Sequence, residues 1–175
     1  MGNGMDVGTA PADVFILLGS NIEKERNVPA AVARLSQLAG LDIVAISPTY
    51  VTPAIGADGH TTEQASFHNA VIHVRTRYSL DEMRAHLRTV EWEMGRRRTA
   101  DKFAPRPIDL DIAIYDDASS SLEGTHFVDP EIGLFPHVAL PLADVAPEWI
   151  LPATGETLAS AAGRLANEET EIRRL

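Results

Sequence analysis

Asp109 and Asp111 flank a single leucine in the segment Ile108-Asp109-Leu110-Asp111-Ile112. On a β-strand, residues two apart share a face, so both carboxylates enter common space from α-carbons about 7 Å apart. Two acids so placed repel each other unless cations neutralise them. Magnesium is suited to the task, because it takes one or two carboxylates and fills its remaining positions with water and phosphate oxygens. A pair of such ions can clamp the attacking and leaving oxygens of an in-line displacement at phosphorus. By itself an Asp-X-Asp is more often the wet side of an amphipathic strand. Here its surroundings change the reading. Five of the fifteen basic residues, Arg96, Arg97, Arg98, Lys102 and Arg106, fall in the loop that feeds this strand. Guanidinium forks match phosphate oxygens two at a time, so acids beside bases give the charge balance of a metal–polyphosphate site. Other candidates carry less. Gly19-Ser20-Asn21 lacks the spacing of a phosphate-binding glycine loop, and Glu91, His60, His68, His73 and His86 read singly as surface or packing residues. No histidine pair has zinc spacing.

The elements that must position these residues follow from hydrophobic periodicity. Val14–Leu18 is an apolar run stopped by Gly19, a buried strand. Val28, Ala31, Val32, Leu35 and Leu38 recur at helical spacing before Gly40. Leu41–Tyr50 and Asn69–Arg77 read as strands, joined by the aperiodic loop Val51–Phe67, whose length marks it as a substrate-loop candidate. Leu80–Met94 reads as a helix with Ser79 at its N-cap and Met83, Leu87, Val90 and Met94 on one side. In the last strand, Ile108–Tyr115, the alternation places Ile108, Leu110, Ile112 and Ile114 on one face and Asp109, Asp111, Ala113 and Tyr115 on the other. Asp116–Leu175 is less regular. The order strand, helix, strand, strand, helix, strand is the split βαβ arrangement. It predicts an α+β, ferredoxin-like sandwich: a four-stranded antiparallel sheet with both helices on one face and the opposite face left for ligands.

The chain has 175 residues, the size of one compact domain, and residues 1–12 read as a disordered leader before a single domain over 13–175. It contains no cysteine, which excludes disulfides, thiolate metal centres and cysteine nucleophiles. No apolar run approaches the ~18 residues of a membrane span, and the first residues carry no signal-peptide pattern, so no membrane association and a cytoplasmic location are expected. A net charge of −10 opposes binding to nucleic acid. A small anionic ligand fits a local cationic strip in an acidic protein better than a polymer does.

Taken together, five segments resemble the 6-hydroxymethyl-7,8-dihydropterin pyrophosphokinase family in order and spacing. They are Leu18-Gly19-Ser20-Asn21, Ser47 to Gly56, Phe67-His68-Asn69-Ala70-Val71, Glu91 to Arg98, and Pro105-Arg106-Pro107-Ile108-Asp109-Leu110-Asp111-Ile112. The likeness runs from Val14 to Tyr115 and resumes at Leu140-Pro141-Leu142 and Val145-Ala146-Pro147-Glu148. It implies a ferredoxin-like fold and transfer of the pyrophosphoryl group of ATP to the pterin hydroxyl, releasing AMP, in folate biosynthesis. Asp109 and Asp111 would hold two magnesium ions. Thr52, Pro53, Ile55, Phe67, Asn69 and Phe103 would form the pterin pocket, with Phe67 stacked on the ring and Asn69 on its polar edge. Glu91, Arg96, Arg98, Arg106 and Ile112 would meet the nucleotide, with Arg96 and Arg106 also catalytic, and the loop Arg97–Lys102 would act as a mobile lid. The resemblance implies ATP and a hydroxymethyl-dihydropterin as small-molecule partners of a monomer.

Two positions depart from the family pattern: Asp129 stands where a histidine is expected and Phe135 where an arginine is expected. Losing an arginine–phosphate contact costs on the order of 1.5–3 kcal/mol unless Arg97, His126 or His137 compensates. Two other readings follow. One is a pterin-binding paralogue with an altered substrate, and the other is a non-catalytic regulatory module that binds pterin or nucleotide.

Overall fold

The structure is a computed structural model that describes residues 10–116, 127–166 and 171–175. Among the described residues, seven strands form one sheet: β1 (Ala12–Ser20), β2 (Leu41–Ile46), β3 (Tyr50–Thr52), β4 (Phe67–Thr76), β5 (Asp109–Asp116), β6 (Phe127–Val128) and β7 (Arg173–Arg174). Their order is β6-β5-β1-β4-β3-β7, with β2 also paired to β4. All pairings are antiparallel. The four expected core strands and the ferredoxin-like connectivity are therefore present. Ala12, assigned by sequence to the leader, is already a buried β1 residue, while residues 1–9 lie outside the described part.

Two helices, α1 (Lys24–Ser36) and α2 (Leu80–Glu93), cover one face of the sheet. Ala31 and Leu35 of α1 and Met83, Leu87 and Val90 of α2 pack on Val14, Ile16, Leu18, Ile72, Leu110 and Ile112 of the strands. The N-terminus of α2 is a capping box. Ser79 accepts a hydrogen bond from the Glu82 N–H, and the Glu82 carboxylate accepts one from the Ser79 N–H at 2.8 Å.

Three expectations need correction. The strand expected over Leu41–Tyr50 is two strands, because Ser47-Pro48-Thr49 interrupts the ladder; Pro48 has no N–H to give it. The alternation of β5 fails beyond Ile112. Its register with β1 shifts between Phe15 and Ile16, a bulge that turns Ile114 to the second face and Tyr115 back into the helix-side core. Finally, the second face is only half free.

Two further helices, α3 (Pro136–Val145) and α4 (Leu158–Ala166), pack over one end of that face, where Phe15, Val71, Ala113 and Ile114 meet Val138, Leu142, Leu158 and Ala161. Pro136 opens α3 at a position where proline's missing N–H costs nothing. Leu158, Ala161, Ala162 and Leu165 form the buried stripe of α4. Residues 158–166 are thus a helix docked on the sheet. The other end of the second face stays open, and there Gly19, Asn69 and Asp109 lie side by side in register.

Candidate active site

The open end of the sheet is built from backbone turns that hold three loops together. Ser20 ends β1 and donates its hydroxyl to the Pro107 carbonyl at 2.7 Å. Asn21 follows, buried, and accepts from the Arg106 N–H at 2.8 Å while its own N–H donates to the Arg106 carbonyl. The Asn21 amide also reaches Gln64 at 3.4 Å, and Gln64 donates to the Phe103 carbonyl at 3.2 Å. One asparagine thus ties the first strand, the loop before β4 and the arginine loop into a single frame. Gly19-Ser20-Asn21 lacks the spacing of a phosphate-binding loop, and its role is not local, since the partners of Asn21 are 43 and 85 residues away. The only signal for it was its recurrence in the family pattern.

Glu91, from the last turn of α2, is the buried centre of the charge network, with 2% of its surface exposed. Its carboxylate accepts from Arg96 at 2.5 Å, from Arg98 at 3.0 Å and from the Leu110 N–H at 2.9 Å. Arg96 also donates to Asp109, as does Arg106 at 2.5 Å. Burial works against charge on Asp109, but the guanidiniums of Arg96 and Arg106 outweigh it and hold the carboxyl below its usual range.

Asp111 is different. Among the described residues no ion pair or side-chain hydrogen bond serves it. Its desolvation in the cavity wall, followed by the negative charge of Asp109 and Glu91, pushes its carboxyl up to about 6. Asp109 and Asp111 stand two residues apart on the open face, as expected, opposite Gly19 and Leu17 of β1. Among the described residues no group of three or more acidic or histidine ligands occurs. A pair of carboxylates, one without an ion pair among the described residues, suits magnesium, which supplies the rest of its shell from water and phosphate, and does not suit an all-protein cage.

The cavity in front of this pair measures about 550 Å³ and is lined by Arg96, Arg97, Arg98, Lys102, Arg106, Asp109 and Asp111. A second cavity of about 230 Å³ shares Arg98 and Asp111 with it. Its walls are Leu87, Leu110, Ile112 and Phe127, with Arg84, Arg88 and Asp129 adding charge. Ile112 thus belongs both to the core and to the edge of this second space. Arg97, though it lines the first cavity, stacks its guanidinium 3.5 Å from the centre of the exposed Trp92 ring.

On the far side of Asp109, Asn69 donates from its amide to the Thr52 hydroxyl at 2.8 Å, and both residues are buried. Arg106 lies 5.7 Å over the Phe67 ring. Thr52, Phe67 and Asn69 therefore share one wall with the acidic pair. Pro53 follows Thr52 and is half-buried, whereas Ile55 and Phe103 stand on flanking loops with 46% and 39% of their surfaces exposed. Asp129 caps a single 3-10 turn, Pro130–Gly133, by accepting from the Glu131 N–H at 2.8 Å. Phe135 is exposed and tilts against His137. His126 lies outside the described residues.

The chain is similar to known proteins. A 2-amino-4-hydroxy-6-hydroxymethyldihydropteridine pyrophosphokinase of Synechocystis is 31% identical over 142 residues, covering 81% of this chain and 70% of the relative. The enzyme of the same name from Methylorubrum extorquens is 31% identical over 152 residues, 86% of this chain and 92% of the relative. The Schizosaccharomyces pombe folic acid synthesis protein fol1 is 31% identical over 157 residues, but the match spans only 20% of its length. Among solved structures, a Plasmodium falciparum HPPK-DHPS crystal structure with pteroate superposes with a TM-score of 0.68 at 12% identity. It covers 95% of this chain and 47% of that one, and shows the fold. Among the described residues, no helix is long and apolar enough to cross a membrane. Residues 15–147 match the profile of 7,8-dihydro-6-hydroxymethylpterin-pyrophosphokinase (HPPK), and the chain belongs to that family.

Proposed function

We propose that the chain transfers the pyrophosphoryl group of magnesium-bound ATP to the hydroxymethyl oxygen of 6-hydroxymethyl-7,8-dihydropterin and releases AMP. The observation that carries this reading is Asp111, a carboxylate without a cationic partner among the described residues, set beside an arginine-paired carboxylate in a cavity lined with further bases. The pterin ring lies against Phe67, with its polar edge read by Asn69, and the nucleoside half of ATP takes the smaller cavity beside Ile112. The hydroxyl oxygen attacks the β-phosphorus, the bond from that phosphorus to the α-phosphate oxygen breaks, and the hydroxyl proton passes to solvent. Two magnesium ions at Asp109 and Asp111, when bound, supply positive charge to both reacting oxygens. Arg96 and Arg106 hold Asp109 in place and present their remaining N–H groups to the phosphates, while Arg98 lines both cavities. Positioning and charge do most of the catalysis.

AMP release from magnesium–ATP, measured with and without the pterin, tests the reading. Pterin-dependent AMP supports it. Pterin binding without AMP would favour the altered-substrate or regulatory alternative, for which Asp129 in the second cavity is the specific observation.

Gly19 offers a finer test of the pterin wall. A β-carbon built there would lie 3.1 Å from the Asn69 side-chain carbonyl oxygen and 3.9 Å from both Phe67 and Asp109. Gly19→Ala is expected to raise the pterin KM about tenfold by pushing the Asn69 amide off the ring edge, with a much smaller change in the ATP KM. Steady-state kinetics with each substrate varied in turn will show it. Equal changes in both constants would remove Gly19 from the pterin side.

A further inference from the structure

The pterin wall depends on β3, which is only three residues long and lies between β4 and the C-terminal β7. On the β4 side Tyr50 pairs with Asn69 and Thr52 with Phe67. On the other side Tyr50 pairs with Arg174 and Val51 with Arg173, and the Leu175 N–H donates to the Thr49 carbonyl at 2.9 Å. A two-residue strand contributes few ladder bonds of its own, so something else must keep it docked. Asp144 of α3 does this. It accepts from the buried Tyr50 hydroxyl at 2.6 Å and faces Arg174 at 3.6 Å. Burial, then the bond to Asp144, pushes the Tyr50 hydroxyl up to about 12, so it remains a donor at physiological pH.

We infer that Ile172–Leu175 is a positioning element of the pterin pocket, joined to it by the Arg174–Asp144–Tyr50 clamp. The connection is short. Tyr50 sits two residues before Thr52, and the Thr52 hydroxyl receives the Asn69 amide, which fixes the direction of the Asn69 side-chain carbonyl oxygen. A loosened β3 therefore frees the one amide that reads the ring. The arginines and acids of the phosphate side stand on and beside β5, which is separated from β3 by β1 and β4, and are not held by this clamp. The inference rests on the pterin reading above for its kinetic consequence, but not for its structural one.

The test compares the full chain with a form ending at Glu171, with Tyr50→Phe, with Arg174→Ala, and with Arg174→Lys as the conservative rescue. Hydrogen exchange at the Thr52 backbone amide and the Asn69 side-chain amide is read without any ligand. Exchange at both should accelerate at least tenfold on truncation, with an intermediate effect in Tyr50→Phe and Arg174→Ala and near-normal protection in Arg174→Lys. In turnover assays the pterin KM should rise about tenfold on truncation, while kcat and the ATP KM stay within about twofold. Unchanged exchange at Thr52 and Asn69, or a parallel rise of both KM values, overturns the inference. If the full chain forms no pterin-dependent AMP, the proposed reaction falls while the exchange data still decide the clamp.

Discussion

Asp111→Asn is expected to abolish most turnover and yet make the metal-free protein harder to melt. Removing one of the two carboxylates proposed to hold the reaction's cations should lower pterin-dependent AMP formation by about 10²–10³-fold. In the absence of metal, however, Asp111 has no ion pair among the described residues, and its desolvation and the charges of Asp109 and Glu91 outweigh the pull of Arg96 and Arg98, so its charge opposes folding. The amide keeps the shape and removes the repulsion. A rise in Tm of about 2 °C in chelator, shrinking when magnesium is added to both proteins, would show that the carboxylate is kept for function at the expense of stability. A fall in Tm in chelator would mean instead that Asp111 has a structural partner. The corresponding change at Asp109 should lower both properties, because it removes the carboxylate partner of Arg106 and leaves Arg96 paired with Glu91 alone.

The largest loss of stability is expected from Glu91→Ala. The side chain is almost fully buried and its two oxygens serve two arginines and one backbone N–H. Breaking a buried ionic network from one side leaves charge without compensation, which typically costs about 3–5 kcal/mol. Arg96 would be left between a hole and Asp109, and turnover should fall with it. Glu91→Gln retains an acceptor for the Leu110 N–H and should lose less. Urea titration of the three proteins measures the difference, and a Glu91→Ala variant within about 1 kcal/mol of the parent would show that Arg96 is held by Asp109 alone.

The contrast between these acids explains what could be read from the sequence. The spacing of Asp109 and Asp111 and the cluster of bases from Arg96 to Arg106 are local, and local patterns survive folding. The Ser79 cap and the apolar side of α2 were legible for the same reason. The β5 bulge was not, because Ala113, Ile114 and Tyr115 are all apolar enough to be buried on either face, so periodicity does not register the shift. The α3 helix was hidden by Pro136 and Pro141, which read as breakers although one begins the helix and the other is absorbed inside it. β6 and β7 are two residues each and exist through backbone pairing with distant strands. Asn21 and Glu91 owe their importance to partners that only the folded chain supplies; singly, each is an ordinary polar residue.

The helical cover over half of the second face also sets a limit on chemical elaboration of any ligand in the proposed pterin site. Val71 lies two residues along β4 from Asn69, fully buried beneath that cover. Ile55 and Phe103, by contrast, stand at an open rim. An inhibitor grown toward Val71 meets close-packed side chains and has no room to gain, whereas substituents directed outward past Ile55 and Phe103 have space and apolar surface to use. In the proposed pterin site the same cover would set the depth to which a flat bicyclic ring can enter from the sheet's open end.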